Sequence, residues 1–275
     1  MVCRGGHNIT IFIMSGNGNG YYQRRQQLRK GWVGAVRQNM IDVWFVLGLS
    51  SHSNDNNNNK ELLTGEADSY HDLIQFGFLD DYLNLTLKTI ATLGWHRRYC
   101  PDSRLLFKLD DDVFVNADKL LDVLPELMAG LSATGEPGIG GQLNYVLDVV
   151  RDNTSKWYVP QEYYQPAEYP SYPTGSAYFM DNLSRDRLLD SVFDQSSSDS
   201  RYIQLPEDAF MCGIVANRTG VRRFDSPLIV VGDYCKCLAK LHTVPIHFAC
   251  NPWETWLKFI NSPIISANLS YVDCD

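Results

Sequence analysis

Three consecutive carboxylates, Asp110, Asp111 and Asp112, follow directly on an apolar run at residues 105–109 that is broken only by Lys108. Like charges at that spacing repel, and at the end of a buried strand they are costly unless a cation neutralises them. Hard oxygen donors suit Mg²⁺ or Mn²⁺, ions that commonly take further ligands from a substrate diphosphate. The other reading of the same three residues is a solvated acidic turn. A second carboxylate pair, Glu207 and Asp208, follows Pro206 and opens a stretch with Phe210, Met211, Ile214 and Val215 at helical spacing. Two carboxylates at a helix N-terminus either cap it or supply a positioned base; the helix dipole there would hold Asp208 ionised, by roughly 0.3–1 kcal/mol. Dense Tyr and Trp between residues 156 and 178 suit stacking on a sugar and equally suit a core edge. The basic stretch 22–32 carries Arg24, Arg25, Arg29 and Lys30, most of them expected in solvent and some able to meet a phosphate.

The elements that must position these groups follow from periodicity. Residues 105–109 read as a strand buried in a sheet, and in open α/β sheets ligands sit at the carboxyl ends of the strands. Residues 9–14 form a first strand running into Ser15-Gly-Asn-Gly-Asn-Gly20. The dinucleotide fingerprint fails there, because Tyr21 stands where the third small residue must be, so a plain turn is expected and a nicotinamide oxidoreductase is disfavoured. Residues 22–32 are helical, with Leu28 and Trp32 on one face. Residues 43–49 give a second strand. Residues 50–60, with the run Asn56-Asn-Asn-Asn59, predict a disordered surface insert. A third strand is expected over 72–78, then a helix over 81–95 with Leu83, Leu87 and Ile90 on one stripe and Asp80 or Asp81 as its cap. Asn116 caps a further helix that ends near Pro125. Strands and helices in alternation predict a parallel α/β sheet. Later come a strand over 156–159, a loop at 196–200, two short strands within 229–250 and an amphipathic helix over 252–260.

Bulk properties narrow the function. The formal net charge of -8 argues against nucleic acid, whose binders present a basic face. No apolar run approaches the ~20 residues of a membrane span, and residues 1–6 lack the apolar core of a signal peptide, so the sequence as it stands predicts a soluble chain. The seven cysteines show no zinc-ligand spacing. Six Asn-x-Ser/Thr sequons begin at Asn8, Asn84, Asn153, Asn182, Asn217 and Asn268, where roughly two or three are expected by chance. That excess favours a secretory-pathway lumen, with several cysteines in disulfides.

Taken in order, these motifs resemble the β1,3-galactosyltransferase-type glycosyltransferases. The resemblance runs through Arg25-x-x-Leu28-Arg29-x-x-Trp32, Phe45-Val-Leu-Gly48, Glu66 with Tyr70-His-Asp-Leu-Ile74, the block from Phe78 to Thr89, and Phe107-Lys-Leu-Asp-Asp-Asp-Val-Phe-Val-Asn116. Lys156-Trp-Tyr-Val159, Tyr169-Pro-Ser-Tyr-Pro-Thr-Gly175 and Glu207-Asp-Ala-Phe-Met-Cys-Gly-Ile-Val-Ala216 complete it. It implies an α/β GT-A fold with a Rossmann-like nucleotide-sugar half (9–116) fused to an acceptor and catalytic half (117–275). It also implies inverting, Mn²⁺-dependent transfer of a hexose or N-acetylhexosamine from a UDP-sugar to the 3-hydroxyl of a glycan on protein or lipid, in the Golgi lumen. By that resemblance Asp208 is the base and Asp112 the metal ligand, with His247 as a second ligand or, alternatively, a satisfied core residue. Asp110 faces the ribose, Asp111 stands one layer behind, and Arg25, Arg29 and Gly175 contact the donor. Trp157, Tyr158 and Glu207 lie on the acceptor side, and Asn84 is a glycosylation site. The family's type II membrane anchor is not visible in this sequence. Thr174, Gly175 and Ser176 stand where the family often has Cys-Ser-Gly or Ala-Gly-Gly, which keeps a catalytically silent carbohydrate-binding relative as the competing reading.

Overall fold

The structure is a computed structural model and describes residues 3–4, 6–50, 57–194, 204–231 and 245–248. The expected loop at 196–200, the helix at 252–260, Asn268 and four of the cysteines (Cys235, Cys237, Cys250 and Cys274) lie outside the described residues.

Strand β1 (Ile9–Met14) is buried at every position, as its β-branched and aromatic composition demands. It lies between β2 (Ile41–Leu49) and β4 (Leu105–Asp110), parallel to both, with β3 (Leu73–Leu79) parallel to β2 on the outside. Beyond β4 come β7 (Pro173–Asp181), antiparallel to it, then β6 (Gly138–Leu143) and β8 (Arg222–Asp225), giving the order β3-β2-β1-β4-β7-β6-β8. A second sheet pairs β5 (Val113–Val115) with β10 (Ile246–Phe248), and β10 with β9 (Ile229–Val230).

Alternation along the strands splits the core into two layers. Ile11, Ile13, Phe107, Leu109 and Phe179 face one side, where α1 (Asn19–Lys30), α2 (Trp32–Arg37) and α5 (Ala117–Thr134) supply Leu28, Val33, Val36, Leu120 and Leu124. Phe12, Met14, Leu106, Tyr178 and Met180 face the other, against Ile90 and Leu93 of α4 (Leu85–Tyr99) and Leu188 and Leu189 of α6 (Asn182–Phe193). Helices on both faces of a mostly parallel sheet are the expected α/β architecture. The disulfide Cys3–Cys100 ties the segment before β1 to the end of α4.

Four expectations are corrected. Within 50–60, residues 57–60 already belong to α3 (Asn57–Tyr70), a helix stabilised by packing Leu63 and Ala67 on the core, which local composition does not record. The helix after Asn116 does not end at Pro125 but runs to Thr134, because its apolar stripe continues through Leu127, Met128 and Leu131. That burial outweighs the ~3 kcal/mol a helical proline costs. A 3-10 turn, Tyr82–Asn84, precedes α4, leaving Leu83 61% exposed; the buried stripe is Thr86, Thr89, Ile90 and Leu93. Residues 156–159 are not a strand. Asp152 Oδ1 accepts from the Thr154 N–H (2.9 Å) and the Tyr158 N–H reaches Ser155 O (3.1 Å), so side-chain turn chemistry overrides the β-prone Trp-Tyr-Val.

Candidate active site

The site lies where β1 and β4 end. The Asp111 N–H donates to Met14 O (3.1 Å) and the Ser15 N–H to Val46 O (3.0 Å), which sets the acidic triplet beside the turn after β1. Asp111 is buried; its Oδ2 accepts from Ser15 Oγ (2.7 Å) and its Oδ1 from Arg24 (3.0 Å). Burial pushes its carboxyl up, against the pull of Ser15 and Arg24.

Arg25 and Arg29, expected against the donor, lie deeper. Arg25 is 1% exposed, forks onto both oxygens of Glu66 (2.8 and 2.7 Å), and donates to Ser15 Oγ (3.1 Å) and Gly16 O (2.7 Å). Arg29 reaches Glu66 (2.7 Å) and forks onto Asp72 (2.9 and 2.7 Å), which also accepts from Arg37 (2.7 Å). Burial alone would lower the Arg29 pKa, but Asp72 and Glu66 outweigh it and hold it raised. These two guanidinium groups therefore support the floor of the site through Ser15 and Gly16. Arg24, not singled out by spacing, is the arginine of this helix that touches the triplet.

Asp112, half-buried, ends the run of three adjacent charges. Its Oδ1 is buried with no hydrogen-bond partner, and burial followed by the charges of Asp110 and Asp111 pushes its pKa up to about 6. An orphaned carboxylate oxygen among like charges fits a divalent cation. Among the described residues no group of three His, Cys, Asp or Glu gathers into a metal cluster. Antiparallel pairing of β10 with β5 sets His247 opposite Phe114, two residues from Asp112.

Asp110 and the second carboxylate pair meet at Lys108. Its Nζ donates to Asp110 Oδ1 (2.7 Å) and lies 3.8 Å from Glu207 Oε2. Glu207 is buried, facing inward rather than to an acceptor, and accepts from the Tyr178 hydroxyl (2.7 Å). Burial, against the pull of Lys108, raises its pKa to about 7. Neither capping nor exposure describes it: Glu207 orients its neighbours.

Asp208 begins a π-helical segment, Ala209–Val215, accepting from the Ala209 N–H (2.9 Å) and the Gly175 N–H (2.8 Å). Such segments recur at functional sites. Burial raises its pKa in spite of those donors and Lys108, so the dipole argument is corrected: desolvation wins, and the carboxylate gains basicity.

The rim is aromatic. Trp157 and Tyr158 are 52% and 41% exposed, and Lys156 Nζ sits 4.5 Å from the Trp157 ring centroid and 5.9 Å from that of Tyr82. Burial and the charge of Asp208 raise the Tyr82 pKa, which ties this rim to the carboxylates. Arg151 pins the loop by donating to Val159 O (2.7 Å) and Tyr164 O (2.6 Å). Asn84 donates to Leu79 O (3.0 Å), and Thr86 of its sequon is 1% exposed. Spacing assigns no site role to Tyr82 or Lys108, although the lone lysine within an apolar strand is a signal; Arg24 stands among the basic residues able to meet a phosphate.

The fold and this carboxylate-lined site have a family. The profile described as "Galactosyltransferase" matches residues 23–227, and the chain belongs to that family. It is 33% identical over 219 residues to the rat (Rattus norvegicus) protein named lactosylceramide 1,3-N-acetyl-beta-D-glucosaminyltransferase, an alignment covering 78% of this chain and 55% of that one. The human (Homo sapiens) protein of the same name is 30% identical over 222 residues, covering 78% of this chain and 54% of that one. The chain thus spans about half the length of the curated relatives it matches. A solved glycosyltransferase involved in glycosylating the major capsid of PBCV-1 superposes with a TM-score of 0.46 at 9% identity, over 90% of this chain and 96% of that one; no weight rests on it.

Proposed function

We propose that this chain is an inverting glycosyltransferase that moves a hexose or N-acetylhexosamine from a UDP-sugar to the 3-hydroxyl of a glycan on glycolipid or glycoprotein. The observation that carries the reading is the gathering of Asp110, Glu207, Asp208 and Gly175 around one buried cation at the carboxyl end of the sheet, with Asp112 left unsatisfied beside them. Asp208 accepts the proton of the acceptor hydroxyl. The hydroxyl oxygen forms its bond to the anomeric carbon as the bond to the diphosphate breaks, and UDP leaves with the electron pair. Asp112 and His247, the latter in register with Phe114, would hold Mn²⁺ (or Mg²⁺), which would supply Lewis-acid neutralisation of the leaving diphosphate. Trp157, Tyr158 and Tyr82 offer aromatic faces to the acceptor's sugar rings. Membership in this family, the Cys3–Cys100 disulfide and the sequons support the Golgi lumen as its place. The test is calorimetry of UDP binding with Mn²⁺ in Asp112→Asn. Affinity is expected to fall ~10-fold or more with the fold intact, and unchanged affinity removes Asp112 from the metal site.

A further inference from the structure

We infer that Lys108 is a positioning residue that couples the donor side of the site to the base through the backbone of Gly175. The inference rests on the transferase reading above and adds a residue and a linkage to it. Leu106, Lys108 and Asp110 share one face of β4, so alternation puts Lys108 where Leu106 and Tyr178 call for an apolar side chain. Burying an ammonium costs several kcal/mol unless it is well partnered. Here the partners come from three elements. From β4, Asp110 Oδ1 accepts at 2.7 Å; from β7, Gly175 O accepts and the Tyr178 ring lies 5.9 Å away; from the π-helical side, Glu207 Oε2 stands at 3.8 Å.

Gly175 is held at both ends. Its carbonyl accepts a hydrogen bond from Lys108 Nζ, while its N–H donates to Asp208 Oδ2 at 2.8 Å. A Cβ at this position would stand 2.9 Å from that same Oδ2, so the backbone approaches the carboxylate as closely as glycine allows. The other oxygen of Asp208 is fixed by the Ala209 N–H. The line Asp110–Lys108–Gly175–Asp208 therefore runs from the acidic triplet to the base without a mobile link. Any shift of Asp110 when the donor binds is passed to the group that takes the acceptor's proton.

The experiment uses Lys108→Met, Gly175→Ala and the double variant. Carbon-13 NMR of the aspartate carboxyls follows Asp208 with no substrate present, and transfer kinetics follow its use. Lys108→Met should raise the titration midpoint of Asp208, since a cation favouring its ionised form is gone. Each single variant should lower kcat for transfer by about tenfold or more while the acceptor KM stays within about twofold, as displacement of a base does. The double variant should be no slower than the slower single one, because both break one link. An unmoved Asp208 midpoint, multiplicative losses in the double variant, or KM rising in step with the lost rate overturns the linkage. If Lys108→Met fails to fold, Gly175→Ala decides alone, and unchanged kcat overturns it. Failure of the transferase reading shows separately, as a wild-type chain that neither binds UDP nor transfers sugar, and the Asp208 midpoint still reports on the linkage there.

Discussion

Two buried charge clusters lie within this molecule, and they are built in opposite ways. Beneath the site, Arg25, Arg29 and Arg37 meet Glu66 and Asp72 in forked pairs, both carboxylates saturated and the Arg29 cation favoured. In the site, Lys108 alone stands among Asp110, Glu207 and Asp208; Asp112 keeps an unpartnered oxygen, and Asp112, Glu207 and Asp208 all have raised pKa values. Balanced charge holds a shape, because removing one partner strands the other. Unbalanced charge stores affinity for something not yet bound, which is why perturbed carboxylates mark functional sites. The difference separates arginines matched by carboxylates from the carboxylates whose pKa values are raised.

The sharpest way to break that comparison is Asp208→Asn. The amide keeps an oxygen for the Gly175 N–H but turns its NH2 toward the Ala209 N–H, so the variant removes the proton acceptor and one of the two hydrogen bonds on this side chain. Transfer should fall by about 10²–10⁴-fold with UDP affinity little changed, as initial rates and calorimetry would read. Thermal stability should change little, since relief of a carboxylate disfavoured by burial offsets the donor left facing the Ala209 N–H. Full activity in this variant would make the cluster an ordinary buried network.

Next in size is Glu66→Ala. It strands Arg25 and leaves Arg29 to Asp72 alone, and breaking a buried pair costs about 3–5 kcal/mol, or roughly 6–20 °C in Tm at this chain size. Thermal unfolding reads it directly. A loss under ~1 kcal/mol would mean the lower cluster is not the scaffold claimed for it.

What the sequence disclosed follows the same division. Strand β1 and the acidic end of β4 were legible because strands buried on both faces read as continuous apolar runs. The pairing of Arg25 with Glu66, 41 residues apart, was not, since spacing along a helix says nothing about which carboxylate arrives from α3. For Trp157 and Tyr158 the sequence left sugar stacking and a core edge equally open and pointed to a strand, because the turn is decided locally by the Asp152 and Ser155 side chains. The basicity of Asp208 ran opposite to its helix-end position, because burial is a property of the assembled fold. Lys108 was visible as a lone charge in an apolar run, yet its partners on β7 and the π-helical segment belong to tertiary structure.

The smallest predicted effect uses pH to set the site against the scaffold around it. His96, buried on α4 and accepting from Arg185 at Nδ1 (2.9 Å), has its pKa lowered from 6.5 to about 3 by burial and by that cation. The unfolded chain binds this proton below 6.5 and the folded chain does not, so the stability His96 allows is present above 6.5 and lost as pH falls toward 3. Glu207 runs the other way: raised from 4.5 to about 7, it binds its proton earlier in the folded chain. Its contribution is fully present below 4.5 and lost as pH rises through 7. Between 4.5 and 6.5 the two slopes oppose, each at most ~1.4 kcal/mol per pH unit, and the wild-type stability curve is correspondingly flat in their share. Glu207→Gln removes the site's slope and leaves that of His96. Urea unfolding at pH 4.5, 5.5 and 6.5 should then show stability falling on acidification by about 1–2 kcal/mol more than in the wild type. Parallel curves would mean that Glu207 is ionised across this range and paired with Lys108 as an ordinary salt bridge, and the contrast between the two clusters would lose one of its buried members.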